Sequence, residues 1–238
     1  MRKDLGSIAG LIVIGLGVSA CDSTTAPSLS DQALNAGVAM VAADATIADL
    51  ETIHEARGGL PLEGERSVTY LDAAGNEQSA FDDLTTATIL ITSDLSADLS
   101  RDTWTATVSR SSTMTITGLE GEETSRTVNG SGTQTATRSR HSDEFGTRTL
   151  EMSGTSSIED VVVGVPRDDN PYPLSGTIRR EMTVNIVNGP DGDGTRSKDV
   201  VITFDGTQFP LMTVDGESYE MDLDARGDQK PFGARRGH

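Results

Sequence analysis

The chain has 238 residues, of which 37 are Asp or Glu and 19 are Lys or Arg, giving a formal net charge of -18 at pH 7. Such a surface repels phosphates and anionic lipid headgroups, which excludes nucleic acid as a partner bound through charge. Only 4% of the residues are aromatic and there is a single cysteine, so the core depends on aliphatic side chains and no disulfide can form within the chain.

The first 20 residues have the three parts of an export signal. They are a positive start, an apolar segment and a pair of small residues, at Arg2 and Lys3, residues 8–18, and Ser19 and Ala20. The apolar segment is too short to cross roughly 30 Å of hydrocarbon as a permanent helix. Residues 1–20 are therefore predicted to be a cleaved signal peptide rather than a transmembrane anchor.

The stretch Val18-Ser19-Ala20-Cys21 places one aliphatic and two small residues before the cysteine. It resembles the lipobox of bacterial lipoproteins, and this resemblance covers residues 1–21 only. It implies that Cys21 becomes the mature N-terminus and is the lipidation site, with the protein held in the bacterial cell envelope, on the periplasmic side or at the cell surface. Two or more acyl chains hold a protein on a membrane where one does not. The alternative is a plain secretory signal followed by a chance free cysteine.

The next two segments are a predicted flexible tether at residues 21–30 and a predicted helix at residues 31–58. The tether is small and polar, whereas the helix region is rich in alanine and ends at Gly58. Its apolar residues form two stripes that point in different directions: Leu34, Val38 and Val41, then Ile47, Leu50 and Ile53. Such a helix either bends near residues 43–44 or is enclosed by a sheet from both sides.

From residue 64 to 223 the pattern is that of antiparallel strands. Apolar and polar residues alternate, as in the stripe of Ile178, Met182 and Val184, which Arg180 interrupts. Two-residue hairpin turns are predicted at Asp205-Gly206 and Asp215-Gly216, and further reversals at Asn129-Gly130 and Asn188-Gly189. Connections this short exclude parallel crossovers.

The predicted fold class is therefore mainly β. We expect an antiparallel up-and-down meander of about eight to ten strands. It curls into an open or partial barrel with the one N-terminal α-helix packed on it, and a two-layer sandwich is the alternative.

Two regions fit this pattern less well. Residues 118–148 have few large apolar side chains, which predicts a long hairpin in solvent or a water-covered edge. The arginines there, Arg126, Arg138, Arg140 and Arg148, would then limit edge-to-edge aggregation. Residues 224–238 are predicted to be a disordered tail.

No catalytic, cofactor or metal site is predicted. The three histidines, His54, His141 and His238, lie far apart in the sequence, and no zinc-ligand spacing occurs. Asp191-Gly192-Asp193-Gly194 faintly resembles a calcium loop but lacks the later acidic ligand of an EF-hand.

The leading hypothesis is thus a non-enzymatic, lipid-anchored cell-envelope protein with a binding or structural role. Its partner would be an envelope protein, a polymer or an apolar ligand. The first alternative is a carrier of lipid or another hydrophobic ligand in a cavity between sheet and helix. An envelope hydrolase is the least favoured possibility, because the sequence offers no nucleophile paired with a base.

Overall fold

The computed structural model describes residues 31–54, 63–101, 104–119, 121, 123–142, 146–189, 192–224 and 232–234. These residues form one helix, α1, at Asp31–His54, followed by eleven strands. In chain order the strands are β1 Glu63–Asp72, β2 Glu77–Gln78, β3 Thr86–Arg101, β4 Trp104–Thr117, β5 Ser125–Ser142, β6 Gly146–Gly164, β7 Ser175–Val187, β8 Gly194–Thr203, β9 Leu211–Val214, β10 Glu217–Met221 and β11 Phe232–Ala234.

All eleven strands belong to one antiparallel sheet. Its order is β11-β10-β9-β8-β7-β6-β5-β4-β3-β1-β2, so each strand except the two-residue β2 follows its sequence neighbour across the sheet. Among the described residues the edge strands β2 and β11 do not pair with each other, and the sheet is open. The predicted mainly β meander with one N-terminal helix is confirmed, and the sandwich alternative is wrong because the strands form a single sheet.

Two of the four predicted turns are confirmed. Asp215 and Gly216 connect β9 to β10 with φ values of 48° and 83°, the positive pair that a two-residue hairpin turn requires. Asn188, with φ of 54°, directly follows β7 at a reversal. The other two predictions are wrong: Asp205-Gly206 belongs to a longer connection between β8 and β9, and Asn129-Gly130 lies inside β5.

The helix lies against the concave face of the sheet. Every residue from Ala42 to Leu50 is buried except Asp44, which is partly buried, so the middle of α1 is surrounded. Of the two sequence alternatives, enclosure by the sheet is confirmed, and α1 runs without a break to His54. The predicted continuation to residue 58 lies outside the described residues.

Contacts near the two edges of the sheet reach the same helix. In β1, Arg66 Nη2 donates to the carbonyl of Thr52 at 2.8 Å. Towards the opposite edge, the Asn35 side-chain amide donates to Glu217 of β10 at 3.0 Å. A flat sheet of this width could not bring both strands to one narrow helix, so the sheet curls around α1.

One core fills the space between α1 and the concave face. It is built mainly from aliphatic side chains and methionines, because the aromatic residues are few. Its most buried members include Val38, Ala42, Ile91, Met114, Val128, Met152, Val161, Ile178, Val184, Val200, Ile202, Met212, Val214 and Met221.

The region predicted as a solvent hairpin or a water-covered edge is in fact interior. β5 pairs with β4 on one side and with β6 on the other, and its Val128, Gln134 and Ala136 are buried. The arginines of this region therefore do not protect an exposed edge. β5 has few large apolar residues because Gly130 and Gly132 occupy inner positions where a Cβ would approach the backbone of β4.

The C-terminal prediction is also wrong in part. Phe232–Ala234 form β11, which pairs with β10 through Tyr219, Glu220 and Met221, rather than belonging to a disordered tail. Residues 225–231 and 235–238 lie outside the described part of the chain.

Replacing Gly154 by alanine is expected to lower the free energy of unfolding by about 1–3 kcal/mol. Gly154 lies in β6 opposite Met182, where an added Cβ would be 2.4 Å from the backbone oxygen of Glu181. That oxygen is part of the ladder and cannot rotate away, so the strands must separate locally. Urea denaturation measures the effect.

The matched control is Gly37→Ala in α1, where an added Cβ meets nothing within 4 Å. It removes the entropic cost of glycine in a helix and is expected to be neutral or stabilising. Equal stabilities for the two variants would contradict the crowding of the sheet at Gly154.

Candidate functional site

A buried ion network ties the middle of α1 to the sheet. Asp49 of α1 is 1% exposed and contacts Arg110 of β4 through Oδ1 and Arg180 of β7 through Oδ2. The second of these contacts measures 2.6 Å. Arg110 also donates to the carbonyl of Ala45 at 2.8 Å, and Arg180 donates to the Thr46 hydroxyl at 3.1 Å. One carboxylate thus joins two strands that are separated in the sheet by β5 and β6.

This network holds two cations and one anion. Burial lowers the pKa of the Arg180 guanidinium from its ordinary value; Asp49 opposes this effect and the neighbouring Arg110 adds to it. The Arg180 side chain donates hydrogen bonds to Asp49, to Thr46 and, at 3.5 Å, to Gln134 of β5. The one carboxylate of the network is held by two guanidinium groups, so the arrangement is that of a structural clamp between helix and sheet.

A pocket opens beyond the C-terminal end of α1, and we call it the helix-end pocket. Its volume is about 380 Å³. The inner wall consists of buried side chains of the sheet, Ile91, Ile116 and Val163. Phe81 stands at the rim, 37% exposed, and meets Tyr70 edge-on with ring centroids 6.0 Å apart. The remaining lining residues are Ile53, Arg66, Val68, Ile89, Arg126, Gly164, Val165 and Arg167.

Three arginines line the helix-end pocket, and no described lining residue is acidic. Arg66 and Arg167 are exposed, whereas Arg126 is partly buried. Arg66 uses one Nη2–H to cap the helix carbonyl of Thr52. Within the described part of the chain, neither Arg126 nor Arg167 makes a side-chain hydrogen bond or ion pair. The lining of the pocket therefore combines apolar side chains with three positive charges.

The residues singled out from the sequence do not meet at either place. Cys21, the predicted lipidation site, lies outside the described residues, as does His238. His54 ends α1 and His141 is in β5, so they belong to different elements. Asp193 accepts a hydrogen bond from the backbone amide of Asn188 at 2.8 Å and shapes the β7–β8 turn. Among the described residues, no group of three or more metal-ligating side chains occurs.

Of these arginines, the sequence analysis noted Arg126 and Arg180, and it did not predict the actual role of either. Arg180 stood out as a charge inside an apolar stripe, which is the signal of a buried ion pair. Arg126 was assigned to an exposed edge and in fact points to the concave side with Val128, two residues along the same strand. No sequence pattern singled out Arg66 as a pocket residue, because the pocket forms only when β1, β5 and the segment after β6 come together.

Comparison with protein-family models, with curated proteins and with solved structures finds no match for this chain. Within the described residues, no helix has both the length and the apolar character needed to span a membrane.

A pH dependence of stability is expected from Asp44 on α1. Burial raises the pKa of its carboxyl to about 6, and the nearby Arg138 opposes this effect. Between the ordinary value and about 6 the folded state holds the proton more tightly than the unfolded state, so stability falls as pH rises through this range and is level above it. The loss is at most about 3 kcal/mol.

Asp44→Asn removes this ionisation and is expected to flatten the decline in unfolding free energy between pH 4 and about pH 7, measured by urea denaturation. Asp168→Asn serves as the control, since Asp168 is exposed in the loop after β6. If the profiles of wild type and Asp44→Asn run parallel, Asp44 does not contribute as described.

Proposed function

We propose that the protein is a non-enzymatic, lipid-anchored protein of the bacterial cell envelope whose folded domain binds a small apolar ligand in the helix-end pocket. The anchor part of the proposal rests on the signal-like residues 1–20 and on the lipobox pattern that ends at Cys21. The binding part rests on one observation, the pocket of about 380 Å³ with an apolar wall. Ligand sites of proteins fall in the range of about 300–1,000 Å³.

The packing of α1 limits what the ligand is. A carrier for large lipids would need a cavity along the length of the helix, and residues Ala42 to Leu50 are packed against the sheet instead. Among the described residues, the space beside Ile53 at the helix end is about 380 Å³, whereas the space beside Ile47 and Leu50 is about 40 Å³. A small ligand is therefore favoured over a two-chain lipid.

The composition of the pocket favours binding over catalysis. Its described lining has no histidine, cysteine, serine or carboxylate, and the one hydroxyl group there is the phenol of Tyr70. The described lining therefore offers no nucleophile paired with a base. The convex side of the sheet, by contrast, carries rows of threonine and serine, which suit a solvated face.

The experiment that tests the binding part uses N-phenylnaphthylamine, an uncharged apolar fluorophore. The full chain carries Cys21→Ser, so that no attached acyl chain competes for the pocket. Ile89→Trp fills the pocket from its wall and is expected to weaken probe binding at least about tenfold. Its matched control is Leu90→Trp, one residue along β3, where the side chain points to the opposite face of the sheet.

Equal probe binding by the Ile89→Trp and Leu90→Trp variants would overturn the proposal that the helix-end pocket is a ligand site. Thermal denaturation of both variants establishes that each is folded at the temperature of the binding measurement.

A further inference from the structure

The charge of the helix-end pocket is opposite to that of the rest of the protein. The chain has 37 acidic and 19 basic residues, yet the described lining of this pocket has three arginines and no acidic residue. Charges further away than about 8 Å are largely screened at physiological ionic strength. Among the residues that line the pocket, the charged side chains are Arg66, Arg126 and Arg167, so the charge of the lining is positive and favours an anion.

The three arginines of the pocket have N–H groups that make no hydrogen bond among the described residues. Arg66 uses one N–H for the Thr52 carbonyl, while Arg126 and Arg167 have no side-chain hydrogen bond within the described residues. A guanidinium presents its donors as a planar fork that matches a carboxylate in a two-bond geometry. Arg126 is partly buried on the inner face of β5, where it pairs with the buried Val163 of β6 and lies two residues from Val128.

The apolar wall and the exposed arginines lie at different depths. Ile91, Ile116 and Val163 are each less than 5% exposed and form the inside of the pocket, whereas Arg66 and Arg167 are exposed at its opening. This order suits a molecule that enters with an apolar chain and leaves its charged end at the mouth. A volume of about 380 Å³ corresponds to roughly a dozen water molecules, which is room for one chain.

From this arrangement we propose that the ligand of the helix-end pocket is a fatty-acid-like amphiphile, a single apolar chain that ends in a carboxylate. Arg126 binds the carboxylate, and Arg66 and Arg167 add positive charge at the mouth. This inference rests on the proposed function, because it names the ligand class of the same pocket.

The test compares three ligands with the same chain and different ends: dodecanoate, dodecanol and dodecylammonium. Each displaces N-phenylnaphthylamine from the full chain carrying Cys21→Ser at pH 8, below the critical micelle concentration. Dodecanoate is expected to bind at least about tenfold more tightly than dodecanol, and dodecylammonium more weakly than either. Raising the salt concentration is expected to reduce the advantage of dodecanoate and to leave dodecanol unchanged or slightly tighter.

Arg126→Gln is the decisive variant. It is expected to remove most of the preference for dodecanoate and to leave the affinity for dodecanol within about twofold. Arg196→Gln makes the same change of charge on the exposed part of β8, away from the pocket, and is expected to preserve the preference.

The outcomes separate the two proposals. If dodecanol binds as tightly as dodecanoate, or if Arg126→Gln weakens both ligands equally, the carboxylate proposal is overturned while an apolar ligand site remains. If a phosphate-ended single chain, dodecyl phosphate, binds far more tightly than dodecanoate, the carboxylate assignment is wrong. If no ligand displaces the probe and Ile89→Trp has no effect, the proposed function itself fails.

Discussion

Alanine in place of Asp49 is expected to lower the free energy of unfolding by about 3–5 kcal/mol, a large part of the stability of a domain this size. Asp49 is the carboxylate shared by Arg110 and Arg180, which are 7% and 1% exposed. Without it, two guanidinium groups stay buried with no anion among their described partners. Urea denaturation followed by far-UV circular dichroism measures the loss.

A combined variant distinguishes the free-energy cost of burying unpaired charges from the loss of the contacts that hold α1 against the sheet. Asp49→Leu together with Arg110→Met and Arg180→Met replaces the whole network with apolar side chains of similar length. It is expected to recover most of the stability that Asp49→Ala loses, because the desolvation of three charged groups is removed. Asp168→Ala, in an exposed loop, is the neutral control. A loss below about 1 kcal/mol for Asp49→Ala would show that the network does not hold the helix.

The second large effect is expected at Cys21. Cys21→Ser is expected to abolish incorporation of labelled palmitate completely, since the thioether requires the sulfur. Ser23→Ala, two residues further on, is expected to leave labelling intact. Mass spectrometry of the mature wild-type protein is expected to show a chain that begins at Cys21 and carries acyl groups.

Loss of the acyl chains is also expected to release the protein from the membrane, because little else attracts this chain to a bilayer. Without residues 1–20, which contain Arg2, Lys3 and Asp4, the net charge of -18 becomes -19, and anionic headgroups repel it. A single acyl chain gives only marginal membrane binding, whereas two or more are retained. A mature protein that begins at Met1, or a Cys21 thiol that reacts with an alkylating reagent, would contradict the anchor and the envelope location together.

The fold was predictable from the sequence because its signals are local. Alternation along the strands and the Asp215-Gly216 turn are properties of neighbouring residues, and both are present in the structure. Even the two apolar stripes of α1 were informative, since they predicted enclosure as one of two possibilities. Asn129-Gly130 misled because the pair lies within β5, where neighbouring strands on both sides hold the backbone extended.

The site was not predictable, because its members are distant in the chain. Asp49 and Arg180, for example, are 131 residues apart and still share a hydrogen bond. From the sequence, the inner face of β5 looked too polar for an interior strand. Its Gln134 in fact accepts a hydrogen bond from Arg180, which also binds Asp49 of the helix. A polar residue in an apolar stripe signals that a partner exists, but periodicity does not say where the partner is.

The helix also sets the distance between the proposed anchor and the proposed ligand site. The predicted tether meets α1 at Asp31, and the pocket lies beside Ile53 at the other end. A helix of 24 residues is about 36 Å long. Ten residue steps from Cys21 to Asp31 extend at most about 36 Å further. If Cys21 carries acyl chains, the mouth of the pocket ranges from the lipid surface to about 70 Å above it, a span that allows the proposed ligand to be taken up at the bilayer and released away from it.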